Sequence, residues 1–529
     1  MTAGERRKAA PWGLSLTSVA VAVVFAGPLL YLVSRVVVGD VAMRTVIADD
    51  VTRDALWNTV LLAGLVAVSA AVVGTSLAWV VARSDVPGRR TLSVLVPLPL
   101  VFPSFVGALA LRASVAPGGL LESVLGPFGV DRLPQVDGLV GSWLVLTLFT
   151  YPYVSLPVAA RLRSLSPSVE ESARILGRRP LAVFFQVVLP QARTAIAAGT
   201  LLVFLYAVSD FGAVDLLGYP ALTRVIYANR VLRRDLAMAL GLVLAILALV
   251  VTASERRVGR RSVGAPAVRT KRSLTVPLGR WRWPTFGLVV FFLLNALAAP
   301  VASLVHWTRR GLSSGSLDVA EADLWAPVLN TAGIAVVTAL VAVIVVLPVA
   351  FLSARYHSRV AGPAQTMVVA GFALPGIVIA LAMVFLSLNT PVLQGLYQTF
   401  PLLVVAYVVH FGAQSVRAAG IAAGSVPARL DDAARMLGAD RWRRLARIDL
   451  PLMAPGLAAG AGLVLLSTMK ELPATLLLAP TGFETLATRI WSSTEANALA
   501  EAGLTALALL ALSAVLTWFL VVRRADLLD

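Results

Sequence analysis

The chain has no cysteine among its 529 residues. That excludes structural disulfides, cysteine-held iron–sulfur clusters and thiolate zinc sites. Histidine is nearly as scarce: His306, His357 and His410 are too scattered to suggest a metal centre. Only three lysines occur, Lys8, Lys271 and Lys470, and none closes a G-x-x-x-x-G-K-[ST] phosphate loop. The chain therefore carries no P-loop nucleotide site of its own. No His, Cys or paired-carboxylate cluster shares a segment, so a membrane-embedded enzyme has no candidate centre. Charged residues make up 14% against 58% hydrophobic.

What is abundant is apolar sequence long enough to cross a bilayer, which takes about 20 helical residues. Trp12–Val33, Val60–Val81, Leu329–Leu352 and Ala502–Val522 are the clearest runs. Others lie near 93–113, 139–160, 194–210, 235–254, 284–305, 364–388, 398–416 and 454–470. The runs are continuous, whereas barrel strands alternate, so an all-α integral membrane fold of about twelve spans is expected. Arg6, Arg7 and Lys8 precede the first run, but that run exceeds a signal-peptide core and reads as a retained anchor.

A net charge of +17 suggests nucleic acid until the charges are placed. With the N-terminus assigned to the cytoplasm, the excess falls on inside segments: +8 at 255–283, +4 at 161–193 and +3 at 417–451. This is the positive-inside bias of a plasma-membrane protein with both termini cytoplasmic, and no nucleic-acid role is needed. Loop 210–235, with Arg224, Arg230, Arg233 and Arg234, is the exception.

The chain also repeats itself. Asn58-Thr59 and Asn330-Thr331 open matching spans that close at Ala82-Arg83 and Ala354-Arg355, offset by 272, with nine of 26 positions identical. Six spans per half is an even number, so the halves enter the membrane the same way up and form a parallel repeat. The expected organisation is a tail, first span and external loop at 1–53, a first unit at 54–254 and a basic cytoplasmic linker at 255–283. A seventh span with its external loop follows at 284–325, then a second unit at 326–522 and a tail at 523–529.

Two polar segments stand out in this apolar chain, between the fourth and fifth spans of each half. "ESARILGRRPLAVFFQVVLP" (171–190) and "DAARMLGADRWRRLARIDLP" (432–451) align at an offset of 261 with six identities. Pro167 and Pro427 suit a first helical turn, Ser168 stands where a capping box with Glu171 would begin, and Gly177 and Gly438 suit helix C-caps. Small residues at Ser172, Ala173, Ala433 and Ala434, beside Glu171, Arg174, Asp432 and Arg435, give a face that another chain can approach closely and in one orientation.

At these residues the sequence resembles the EAA loop of ABC importer membrane subunits: an acid, two small residues, three residues, Gly, nine residues, an aliphatic, one residue, Leu-Pro. Glu171, Gly177, Val187 and Leu189-Pro190 match in the first half; Asp432, Gly438, Ile448 and Leu450-Pro451 match in the second. Ser172 replaces the first Ala, and Asp432 replaces Glu. The resemblance implies a type I importer permease fold, docking of an ATPase subunit on each loop (two copies in all) and an external or periplasmic substrate-binding protein. ATP and Mg2+ would then bind on the partner subunits, with no cofactor in this chain. "SDFGAVDLLGYPALTRVIY" (209–227) and "KELPATLLLAPTGFETLATRIW" (470–491) are similar to segments of fused two-half permeases of the ferric-iron type, which implies a bacterial inner-membrane location.

The 261 offset also pairs Asp210 with Glu471, where the fifth and eleventh spans end. Acids at membrane depth mark a pathway or a specific partner. Tyr206, Asp215 and Glu484, with Tyr219 and Tyr227, add hard oxygen donors of the kind ferric iron prefers, although no coordination sphere follows. The alternative is that Asp210 and Glu471 cap helix ends or pair with Arg224, Lys470 or Arg489. Other cargoes, such as thiamine or a phosphonate, and an ion-coupled secondary transporter remain as rivals. The last would leave the duplicated loops unexplained.

Overall fold

The structure, a computed structural model, describes residues 8–38, 46, 48–129, 133–165, 167–178, 180–260, 275–317 and 323–518. Among these, eleven helices are long and apolar enough to cross a membrane, twelve if one bent pair counts as a span. They are Trp12–Val37, Asp50–Arg83, Ser104–Phe128, Gly138–Arg163, Phe184–Ser209 and Arg234–Glu255, then Gly279–Ser314, Trp325–Arg355, the pair Ala361–Ala373 and Gly376–Asn389, Phe400–Ser425, Arg441–Thr468 and Leu499–Thr517. Below they are the first to twelfth spans. The chain is a multi-pass membrane protein.

The third and ninth spans, expected as continuous runs, are broken. The third approaches through Arg89–Leu95 and a 3-10 turn at Leu98–Val101 and restarts at Ser104; the ninth restarts at Gly376 after a bend of 106°. Pro103 and Pro375 cause this, because proline lacks the N–H that would continue the ladder and drives its predecessor out of the helical region. Phe102 (φ −76, ψ 127) and Leu374 (φ −73, ψ 132) are accordingly extended. The change of repeat offset also has a structural place. The first half prolongs its third span beyond Val115 with the extra helix Leu120–Leu125, where the second half has only the short turn Pro391–Leu396.

Proline leaves a second mark. Phe184–Val188, Leu445–Asp449 and Leu294–Ala298 are single π-turns, each just before Pro190, Pro451 or Pro300. With no donor at the proline, the preceding turn bonds one residue further back. The first two occur at equivalent positions of the repeat.

Within each half the spans approach through small residues, as membrane helices without a hydrophobic driving force must. Ala63, Ala67 and Ala70 on the second span are buried, as are Ala335, Ala339 and Ala342 on the eighth. The alanines shared by the repeat are therefore its packing faces. Each half's leading span lodges on the other half. Phe25 of the first span is buried where Gly371 and Gly412 of the ninth and tenth leave room. On the seventh span, Ser303 and Trp307 donate to the carbonyls of Ala110 and Ala113 on the third (3.1 and 2.7 Å).

One end of the bundle collects the loops. Lys8–Ala9 pairs in parallel with Tyr356–His357, and the Val276 amide donates to the Arg83 carbonyl at 2.7 Å. Both polar segments lie at this end, as a parallel repeat requires.

Candidate functional site: the paired loops and the seam

In the first half Pro167–Ile175 forms the short loop helix; in the second it is Ala428–Met436, with Pro427 at the N-cap position and not inside the first turn. The side chains of Ser168 and Arg174 lie outside the described residues. Gly177 and Gly438 both have φ +77. The amide after each glycine reaches back five residues, Arg178 to the Ala173 carbonyl (3.1 Å) and Ala439 to the Ala434 carbonyl (2.9 Å). This is the Schellman closure that a left-handed glycine permits.

Glu171, Ser172, Asp432, Ala433 and Arg435 are exposed, whereas Ala434 is buried and Ala173 half-buried. The small pair is thus divided. Its first member faces outward, and its second lets the loop helix lie close on its own spans. Between them and the glycine come Ile175 and Leu176, 85% and 81% exposed, and at the equivalent positions Met436 and Leu437, 88% and 87% exposed. Sequence reading passed over these four because apolar residues beside a helix end look like packing. Their duplication amid charge is the signal that was available. An apolar tip repeated in both halves and flanked by fixed charge suits a protein partner.

Behind each loop stands an arginine from the end of the second or eighth span. Arg83 is buried in an ion pair with Glu170, and its guanidinium donates to the Leu162 carbonyl (3.4 Å). Arg355 pairs with Asp449 at 2.7 Å and donates to the Ala423 carbonyl (3.1 Å), the exact counterpart of Leu162 in the repeat. Glu170, beside the exposed Glu171, thus belongs to the interior.

The acids at the other end of the fifth and eleventh spans are 8% exposed. Asp210 accepts from the Ser104 hydroxyl (2.5 Å) and the Ala213 amide (3.0 Å); Glu471 accepts from the Ala474 amide (3.1 Å). Each carboxylate also stands where a broken span restarts: Ser104 opens one helix and Gly376 the other. A Cβ on Gly376 would come within 2.7 Å of Glu471 Oε1, so the glycine leaves room for the carboxylate in this position. The acids do cap short helices, but they do not pair with Arg224 or Arg489. Arg224 instead binds Asp215 (3.1 Å), while Arg489 binds Glu501 (2.9 Å) and sits 3.9 Å from Glu484. Asp215 and Glu484 are therefore engaged within their own hairpins.

The two halves meet here. Lys470 donates to the Leu100 carbonyl at 2.8 Å, and Phe211 lies 5.3 Å from Trp491, ring to ring. Tyr206, packed on Tyr153 at 5.7 Å, lies within electrostatic reach of both Asp210 and Glu471. Among the described residues no group of three or more His, Cys, Asp or Glu is placed to hold a metal ion. What the seam can do is select and gate, with two buried carboxylates, tyrosines and one ammonium along the line where the halves join.

A family model described as a binding-protein-dependent transport system inner membrane component matches residues 70–262 and 346–526. Over 92% of its length the chain is 27% identical to an Fe(3+)-transport system permease protein of Haemophilus influenzae, covering 93% of that protein. It is 28% identical to a probable ABC transporter permease protein of Sinorhizobium fredii, over 80% of this chain and 78% of that one. A putative 2-aminoethylphosphonate transport system permease protein of Salmonella choleraesuis is 31% identical over 35% of this chain and 67% of the relative.

Proposed function

The chain belongs to the family of binding-protein-dependent transport system inner membrane components, and from that premise we propose that it conducts ferric iron into a bacterial cytoplasm. It is the permease of an ABC importer and not an enzyme, and ATP hydrolysis lies with separate subunits. The observation that carries the cargo is the likeness to the Fe(3+) permease, which runs through both halves and both seam acids, whereas the phosphonate relative aligns with 35% of the chain. A cysteine-free seam of carboxylates and tyrosines accords with a hard cation.

In this reading two ATPase copies, binding ATP and Mg2+, dock on 167–178 and 428–439, with Glu171, Asp432 and the apolar tips as contacts. The loop end is cytoplasmic, as are both termini, and the membrane is the inner one. A binding protein delivers cargo at the opposite end, and Asp210 and Glu471, with Tyr206 one turn before Asp210, line the gate. Lys470 favours a second reading, in which iron passes as an anionic chelate, because a half-buried ammonium at the seam repels a bare cation.

The test is uptake by proteoliposomes holding this chain, its ATPase and its binding protein. Ferric iron, a ferric chelate, 2-aminoethylphosphonate and thiamine would be offered in parallel. Iron accumulation alone supports the proposal; accumulation of either organic solute without iron removes it.

A further inference from the structure

Two sets of polar contacts occur in both halves, at opposite ends of one helix. At the loop end Arg83 closes the second span and holds the loop helix through Glu170, while Arg355 closes the eighth and holds the start of the eleventh span, just past the second loop, through Asp449. At the far end of the same helices stand Thr59 and Thr331, buried, in the Asn-Thr pairs that first revealed the repeat. Thr59 Oγ1 donates to the Ala55 carbonyl (2.7 Å) and accepts from the Leu222 amide (2.8 Å). Thr331 Oγ1 donates to the Pro327 carbonyl (2.7 Å) and accepts from the Leu486 amide (2.9 Å). Beside them Asn58 and Asn330 donate to the carbonyls of Pro220 and Glu484 (3.4 and 2.9 Å).

The segments clasped in this way lead to the seam. Thr223, next to Leu222, donates to the Asp210 carbonyl (2.8 Å), and Leu486 opens the helix that carries Trp491 onto Phe211. In both halves the threonine and arginine are 24 residues apart, which is about 36 Å of helix at 1.5 Å per residue and enough to cross the roughly 30 Å core of a bilayer. Asp50–Arg83 runs without a break or an internal proline; Trp325–Arg355 contains Pro348, close to its loop end.

We propose that each of these helices is a strut joining the loop to the seam, with Thr59 and Thr331 as the positioning residues at the far fastening. Displacement of the loop moves the arginine, directly through Glu170 in the first half and by way of the start of the eleventh span and Asp449 in the second; the helix carries the movement across the membrane, and the threonine hydroxyl passes it to the seam. Hydroxyl and amide are both buried, so removing the oxygen strands an amide and unfastens the hairpin while leaving the docking surface unchanged. The proposal rests on the reading that the loops dock ATPases.

The experiment uses the reconstituted complex with three forms of the permease: wild type, Thr59→Val with Thr331→Val, and Thr59→Ser with Thr331→Ser. The valine form is expected to retain its ATPase and basal hydrolysis, yet to move at least tenfold less cargo per ATP than wild type; the serine form, which keeps the hydroxyl, is expected to match wild type. Because the chain has no cysteine, spin labels on Leu232→Cys and Glu495→Cys give a second readout. Their separation should respond to ATP in wild type and not in the valine form. Wild-type coupling in the valine form overturns the proposal. So does loss of ATPase binding in that form alone, since the clasp would then be maintaining the fold and not transmitting movement. Failure of the wild-type chain to retain its ATPase would instead remove the docking reading.

Discussion

Arg83 and Glu170 form a buried ion pair, 1% and 2% exposed, between the end of the second span and the loop helix, while Glu171, one residue on, faces solvent. Adjacent acids thus have opposite duties. Removing one partner of a buried pair leaves an uncompensated charge and costs about 3–5 kcal/mol. Glu170→Gln should therefore lower thermal stability and detergent-solubilised yield, whereas Glu171→Gln should leave stability within about 0.5 kcal/mol and weaken ATPase retention. Thermal melts and co-purification on both variants check this. Equal effects on stability would contradict the division.

The exposed apolar tips give a second prediction. Burying a side chain such as Ile175 or Met436 at an interface contributes about 1.5–3 kcal/mol. Ile175→Ser with Leu176→Ser should lower ATPase affinity about tenfold or more with an unchanged melting temperature, and Met436→Ser with Leu437→Ser should do the same in the other half. Titration of the purified ATPase onto the permease measures it. Unaltered affinity in both would place the partner elsewhere.

Gly177 and Gly438 hold φ +77, a conformation that costs other residues about 1–2 kcal/mol and β-branched ones most. Gly177→Val should reopen the turn and misdirect the tip, reducing ATPase co-purification more than Gly177→Asn, since asparagine tolerates the left-handed region. Similar losses for Val and Asn would mean that side-chain bulk, and not backbone geometry, is the cause.

How far the sequence reveals this molecule depends on the scale of the feature. Span number and the parallel repeat follow from apolar length and from offsets of 272 and 261, because bilayer thickness leaves helices few alternatives. The left-handed turns at Gly177 and Gly438 are legible because few residue types suit that geometry. The breaks at Pro103 and Pro375 were not anticipated, since a proline in an apolar run can either kink a span or end it, and only packing decides. Arg83 with Glu170 is invisible for another reason: the partners are 87 positions apart, and an acid in a charged loop looks solvated until a span end is seen against it. The ion pairs of Asp215 with Arg224 and of Glu501 with Arg489 are hidden in the sequence for the same cause, side-chain reach between segments.

For the seam, Asp210→Asn and Glu471→Gln should each slow uptake, and the double variant should depart from the product of the two single effects. Residues that share one element couple by about 0.5–3 kcal/mol. Initial uptake rates for the four forms make up the cycle. Simple multiplication of the effects would mean that the acids only cap their own helices at Ala213 and Ala474.

The most direct test of the whole account is entry of radiolabelled ferric iron into proteoliposomes containing the permease, its ATPase and its binding protein, compared with the same vesicles carrying Glu171→Arg and Asp432→Arg. The account predicts ATP-dependent iron accumulation in the first and, in the second, loss of that accumulation with the permease still folded. Accumulation that persists with both loop charges reversed, or that proceeds without ATP, would contradict it.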